Sequence, residues 1–477
     1  MTQSSLSLTG KQLLLATLRH EQTDSVPWVP FAGVHAGKLK GYNATEVLTD
    51  GKKLLESLLE VNAQYQPDGQ PVLFDLQVEA EILGCELAWA ERTPPSVATH
   101  PLAFKAEAPT RLPEKSDGRL PMILDTMRAM KEAVGDKTAL YGLICGPFTL
   151  ASHLRGTEIF MDMYENEEFL DSLLAYTAAV NQRMAEFYIE AGMDVIAIVD
   201  PLVSQISPRH FRRLLNGPVR GVFDFIRARG ALSSYFVCGD ATKNIEEMCL
   251  TRPDSIGIDE NIDMVKAKAI TDRYNIAIGG NIPLTSTMLL GTQQDNMKFV
   301  VDLLSKLKAT EHGLRNFILA PGCDMPYDIP AENVIGALQA VRDPDSIGKA
   351  LANYTSQGFN IDVPMPDYAA LTTPLVEVFT IDSATCAACT YMVGAVAAAK
   401  RELGDKMEYV EYKILEPENI ARVMKLGLKN LPAIVINGQL KFSSIIPSKK
   451  ELIAAIEEAG SRQSSVVSSQ SSVVSRQ

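Results

Sequence analysis

Eight short apolar runs recur between residues 26 and 320, mostly separated by longer segments whose apolar residues repeat at helical spacing. The runs cover residues 26–31, 72–74, 140–144, 195–199, 232–237, 255–258, 276–278 and 317–320. Helical candidates between them include 54–61, 122–134, 169–191, 211–228, 264–270 and 297–307. Strands joined by helices pair in parallel, and eight such units in sequence point to a closed (β/α)8 barrel of the TIM type. Residues 104–120, rich in proline and charge, stand outside the alternation as an excursion.

The C-terminal ends of the runs carry the chemistry. They read Asp75, Cys145, Asp200, Cys238, Asp259, Asn281 and Cys323, all polar or thiol-bearing. A barrel of this kind builds its active site at that face, although strand ends also collect polar turn residues for structural reasons. Cys238 lies in Tyr235-Phe236-Val237-Cys238-Gly239-Asp240 and Cys323 in Leu319-Ala320-Pro321-Gly322-Cys323-Asp324. With the two runs as neighbouring strands, both sulfurs sit at the mouth, placed to hold a soft metal or to carry thiol chemistry. Asp240 and Asp324 are expected to order their loops through Asx turns. Asp200 either orients a ligand or caps the turn before Pro201. His153 and His210 stand at no strand end and read as structural or surface residues.

At 477 residues the chain is too long for one ordinary core. The expected division is a barrel over 1–349, a linker over 350–373, a second α/β domain over 374–460 and a disordered tail over 461–477. The linker contains Gly358, Pro364 and Pro366 and has little periodicity. In the second domain, strands are expected at 375–380, 409–414, 433–436 and 440–442, and helices at 390–403, 419–426 and 449–459. Asn437-Gly438 between the last two strands is a hairpin signal, because both residues tolerate the positive φ of a type I′ turn. The tail repeats Ser-Ser-Val-Val-Ser and offers too little apolar surface to fold. A net charge of −13 with no long basic run argues against nucleic acid as a partner. No apolar stretch approaches the ~20 residues a membrane helix needs. A start of Met1-Thr2-Gln3-Ser4-Ser5 lacks the marks of a signal peptide, so the expected location is cytoplasmic. Seven scattered cysteines make no disulfide framework.

Thr385-Cys386-Ala387-Ala388-Cys389-Thr390 follows an expected strand and opens an expected helix. A C-x-x-C pair needs that setting, because a helix N-terminus stabilises the thiolate of the first cysteine. Pro432 precedes the hairpin, where a cis proline would pack beside the dithiol. Together these features resemble the thioredoxin and glutaredoxin-like fold, with Cys386, Cys389 and Pro432 as its redox site. The Ala-Ala spacer departs from the familiar thioredoxin one.

Over most of residues 9–343, five motifs in order resemble the uroporphyrinogen decarboxylase superfamily. They are Phe74-Asp75-Leu76-Gln77-Val78-Glu79-Ala80-Glu81, the segment from Cys145 to Ser152, Phe236-Val237-Cys238-Gly239-Asp240, Gly279-Gly280-Asn281 and Pro321-Gly322-Cys323-Asp324. Within the superfamily they resemble the corrinoid-dependent branch of methylcobamide:coenzyme M methyltransferases. True decarboxylases carry an early arginine-rich motif that clamps carboxylates, and residues 26–35 here contain no arginine. Decarboxylases also place a histidine where this chain has Cys323, whereas Asp75 matches their acidic position.

The resemblance implies methyl transfer from a methylated corrinoid, free or on a carrier protein, to a small acceptor such as a thiol. It further implies a zinc ion held by a His-x-Cys motif and a later cysteine, to which Cys238 and Cys323 correspond. The histidine position is Phe236, which ligates nothing. Asp75, Glu79 or Asp259 would then complete the zinc site, with Glu79 preferred; alternatively the two thiols bind no metal and oxidise to a disulfide within reach of the fused dithiol domain. Asp75, Glu79 and Asp200 are the candidate catalytic residues. Decarboxylation of a porphyrinogen, or a non-catalytic corrinoid-binding barrel that delivers a reductant, are the competing expectations.

Overall fold

The computed structural model describes residues 8–356, 361–380, 387–414, 416–428, 431–443 and 445–474. The chain falls into two compact units, Met1–Ser356 and Gln357–Gln477.

The first unit is built on seven parallel strands that pair in chain order: β1 (Gly69–Pro71), β2 (Ala139–Cys145), β3 (Val195–Val199), β4 (Leu232–Val237), β5 (Ser255–Ile258), β6 (Ala277–Ile282) and β7 (Phe317–Pro321). The stave between β7 and β1 is the segment around Trp28. Val29 N–H donates to Leu319 O at 2.9 Å, Leu319 N–H to Pro27 O at 2.9 Å, and Asp68 N–H to Trp28 O at 2.9 Å. Those bonds close the ring, but regular pairing in the expected strand 26–31 shrinks to one bridge, Trp28 with Leu319. Pro27 and Pro30 have no N–H to give, which explains why the ladder stops there. The expected strand 72–74 also shifts, to Gly69–Pro71. Its apolar residues Val72, Leu73 and Phe74 are buried beyond the ladder, so their hydrophobicity reports burial rather than pairing.

Alternation along the strands fills both faces. Ala139, Tyr141, Leu143, Val195, Ala197, Val199, Phe236, Ala277, Ile318 and Ala320 form one cluster with Phe31 and Phe74 inside the barrel. The intervening residues, such as Ile144, Ile196, Ile198, Tyr235 and Ile256, are equally buried, as expected where helices cover the outside. The helical segment expected at 211–228 is two helices, Pro208–Leu214 and Asn216–Ala228. Two further helices, Pro147–Arg155 and Ala331–Arg342, complete the alternation.

The second unit holds a four-stranded sheet of β8 (Leu375–Thr380), β9 (Glu408–Lys413), β10 (Ala433–Ile436) and β11 (Gln439–Ser443), in the order β9-β8-β10-β11. β8 pairs with β9 in parallel and with β10 antiparallel. The β10–β11 hairpin turns on Asn437 and Gly438, with φ of 50° and 75°. Helices Ala387–Leu403 and Lys449–Val474 accompany the sheet, and Met392, Val396, Leu452 and Ile456 share a core with Val376, Val378 and Ile434. The last helix runs on through the Ser/Val repeats to Val474, where no regular structure is expected from composition. Once Leu452 and Ile456 are packed, extending a helix carries no further nucleation cost.

Candidate active site at the mouth of the barrel

The register of the strands places their C-terminal ends in one layer: Val199 faces Phe236, Val237 faces Ile258, and Ile282 faces Pro321. Cys238 and Cys323 follow β4 and β7, which are separated by β5 and β6. The two residues nonetheless meet, with a Cα–Cα distance of 5.9 Å, and their sulfurs are joined in a disulfide. Glycines permit the approach. Gly239 takes φ +95°, and a Cβ there would lie 2.9 Å from Ser204 Oγ. A Cβ on Gly322 would lie 2.6 Å from Glu260 N. Both cysteines are half-buried and pack on the interior cluster, over a floor in which Phe31 stacks on Phe236 at 5.0 Å and meets Phe74 edge-on at 6.1 Å.

Carboxyls hold the loops around this pair. Asp259 accepts the Gly239 N–H at 2.7 Å and the Asn261 N–H at 2.9 Å. Asp324 accepts the Gly33 N–H at 2.8 Å, which ties the Cys323 loop to the stave containing Trp28. Asp240 makes the expected local turn by accepting the Thr242 N–H at 3.1 Å. Asn281 donates to the carbonyls of Asp259 at 2.9 Å and Ile262 at 2.7 Å. Glu260 accepts the Leu284 N–H, and burial together with Asp259 pushes its carboxyl up to about 8.

Asp75 and Glu79 follow β1. Arg119 donates to Asp75 at 2.7 Å and to Glu81 at 2.7 Å, and its guanidinium lies 5.0 Å from the centre of the Trp89 ring. Another of its nitrogens is buried without a partner. Glu79 is 1% exposed; one oxygen accepts the Cys145 N–H at 3.2 Å and the other has no partner. Burial, with Asp75 nearby, pushes the Glu79 carboxyl up to about 8, so it is mainly neutral at pH 7. Cys145 is fully buried, its thiol is held well above the ordinary range by burial, and its sulfur stands 3.9 Å from His153 Nδ1. His153 is buried as a neutral ring, pushed down to about 4.

Asp200 turns both oxygens to the start of a helix. It accepts the N–H groups of Phe148 at 3.2 Å and Thr149 at 2.8 Å and the Thr149 hydroxyl at 2.6 Å, which caps helix Pro147–Arg155. Burial raises its carboxyl to about 6, against the pull of these bonds. Of the expected site residues, Cys238 and Cys323 converge, and Asp75 and Glu79 lie near each other beside Arg119. Arg119, in the expected excursion over 104–120, and Glu260, directly after Asp259, are site residues that the sequence pattern does not single out. A buried acid such as Asp75 calls for a cationic partner, and that signal points to an arginine outside residues 26–35.

The residues do not fit the zinc that the sequence implies. Among the described residues, no three Cys, His, Asp or Glu side chains come together to hold a metal ion. The two sulfurs are bonded to each other. Phe236 sits 2% exposed in the aromatic floor, and the expected third ligand, Glu79, is turned to the Cys145 amide. In the second unit Cys389 is buried and the Leu431–Pro432 peptide is cis, while Cys386 lies outside the described residues.

A family model for uroporphyrinogen decarboxylase (URO-D) matches residues 9–344, and one for a thioredoxin domain matches residues 376–457. The chain belongs to the uroporphyrinogen decarboxylase family. Within that family it is 27% identical over 335 residues to the methylcobamide:CoM methyltransferase MtbA of Methanosarcina acetivorans, covering 68% of this chain and 95% of the relative. It is 30% identical over 277 residues to the methylcobamide:CoM methyltransferase MtaA of Methanosarcina barkeri, covering 56% and 77%. A uroporphyrinogen decarboxylase of Nostoc punctiforme is 22% identical over 311 residues, covering 63% and 86%. A solved methyltransferase structure from Methanosarcina mazei superposes with a TM-score of 0.64 at 24% identity, over 71% of this chain and 99% of that one, and shares the barrel fold. No helix among the described residues is long and apolar enough to cross a membrane.

Proposed function

We propose that the barrel transfers a methyl group from a methylated corrinoid, free or on a carrier protein, to a small acceptor bound at its mouth. The observation that carries this reading is the meeting of Cys238 and Cys323 over the aromatic floor, in a family member whose methylcobamide:CoM methyltransferase relatives align over most of their length. With a thiol acceptor, the acceptor sulfur bonds to the methyl carbon, the cobalt–carbon bond breaks with its electron pair left on cobalt, and the thiol proton passes to solvent.

The chain's own residues supply placement. Phe31, Phe74 and Phe236 give a dry surface for an apolar methyl group, which limits competing attack by water. Below about pH 8 Glu79 is kept neutral, so it puts no second negative charge beside Asp75. Among the described residues, zinc has no ligand set in this arrangement. Porphyrinogen decarboxylation is the weaker reading, because Asp75 is held by Arg119 and residues 26–35 contain no arginine.

Incubation of the purified full chain with methylcobalamin and a panel of thiols tests the proposal. The expected result is acceptor-dependent loss of the methyl–cobalt absorbance with a matching methylated product. Absence of that loss across the panel contradicts it.

A further inference from the structure

We propose that Cys238 and Cys323 form a reversible thiol–disulfide centre whose substrate is an incoming dithiol. The inference stands on the geometry of the pair and does not depend on the methyl-transfer reading. Residues 85 apart in sequence, following strands that are not neighbours, are brought to a Cα–Cα distance of 5.9 Å and bonded. Their loops are fixed by other contacts. Gly239 N–H is held by Asp259 at 2.7 Å, Gly322 N–H by Ile282 O at 3.0 Å and Gly33 N–H by Asp324 at 2.8 Å. Such anchoring keeps the two thiols close after the bond is cut, so that closure recurs without a search.

Access and chemistry agree with this role. Both residues are half-buried, whereas the other barrel cysteines, Cys85, Cys145 and Cys249, are buried, so within the barrel a reagent from solvent meets the mouth pair first. With Phe236 at the third position and no three metal-binding side chains together among the described residues, a metal does not compete for the sulfurs. The exchange is balanced. A thiolate of the incoming dithiol attacks one sulfur of the Cys238–Cys323 bond, forms a mixed disulfide and releases the other cysteine as a thiolate. The second thiol of the incoming molecule then attacks the mixed bond and leaves as a disulfide. The barrel gains two electrons and two protons, and the dithiol loses them.

The test uses the full chain, native and unreduced, then equilibrated with dithiothreitol, with thiols trapped by N-ethylmaleimide and located by peptide mass mapping. Cys238 and Cys323 should be unlabelled at first, become labelled together after reduction, and close again on addition of a low-molecular-weight disulfide. Cys323→Ser should expose Cys238 to labelling without reductant; peptide mapping of the unaltered chain decides the matter if that variant fails to fold. Labelling of either residue before reduction, labelling of only one after it, or uptake of one equivalent of zinc that blocks both labelling and closure would overturn the proposal.

Discussion

The chain carries two cysteine pairs that are built in opposite ways. Cys386 and Cys389 are three residues apart, so their proximity is a local property of one sequence motif. Cys238 and Cys323 are 85 residues apart, and their meeting depends on the closure of the whole barrel and on loops tied down by carboxyls. A locally specified pair survives changes elsewhere in the molecule. A pair assembled at long range inherits the stability of everything that positions it.

Substitutions in the barrel should therefore have the largest effects. Arg119→Leu leaves the buried Asp75 without its counter-ion, and a broken buried pair costs about 3–5 kcal/mol. Denaturant unfolding of the barrel should show that loss, while the reactivity of Cys386 and Cys389 stays unchanged. A loss below about 1 kcal/mol would mean the mouth does not rely on this ion pair.

Glu79→Gln should alter the pH dependence next. The Glu79 carboxyl is raised to about 8 in the folded chain by burial, above its unfolded value, so folding retains a proton that unfolding releases. Its contribution is fully present below the unfolded value and is lost as pH rises through about 8. Wild-type stability should fall across that window by on the order of 5 kcal/mol from this group, and the Gln variant should be flatter. Parallel stability profiles of the two proteins would contradict the assignment of Glu79 as a neutral buried acid.

Asp200→Ala removes the cap from helix Pro147–Arg155 and should cost about 1–2 kcal/mol. Turnover by the folded fraction should change little, which separates a cap from a catalytic carboxylate. The smallest effect is expected in the second unit. Gly438→Ala places a side chain at φ 75° against Tyr368 and should cost about 1 kcal/mol there, leaving the barrel untouched. Hydrogen exchange resolved by peptide distinguishes the two units.

The same contrast explains what the sequence made legible. Regular alternation revealed the barrel and the small α/β unit, because β2 to β7 are apolar runs bounded by turn residues. Prolines 27 and 30 hid the true nature of the closing stave, which pairs through a few bonds only. At the site, Cys238 and Cys323 were recognisable from their matched positions at strand ends. Arg119 was not, since its role comes from a tertiary contact with Asp75 and its own segment has no periodicity. The expected zinc rested on resemblance at two ligands out of three, and Phe236 at the third packs as part of the core.

A single comparison tests the account most directly: the rate of acceptor-dependent methylcobalamin demethylation by the full chain, by Cys238→Ser and Cys323→Ser, and by Cys386→Ser/Cys389→Ser. With the acceptor bound at the mouth beside Cys238 and Cys323, turnover is expected to fall in the two barrel variants and to persist through the first turnover in the double variant of the small unit. Turnover that survives loss of Cys238 and Cys323 but fails without Cys386 and Cys389 would contradict it.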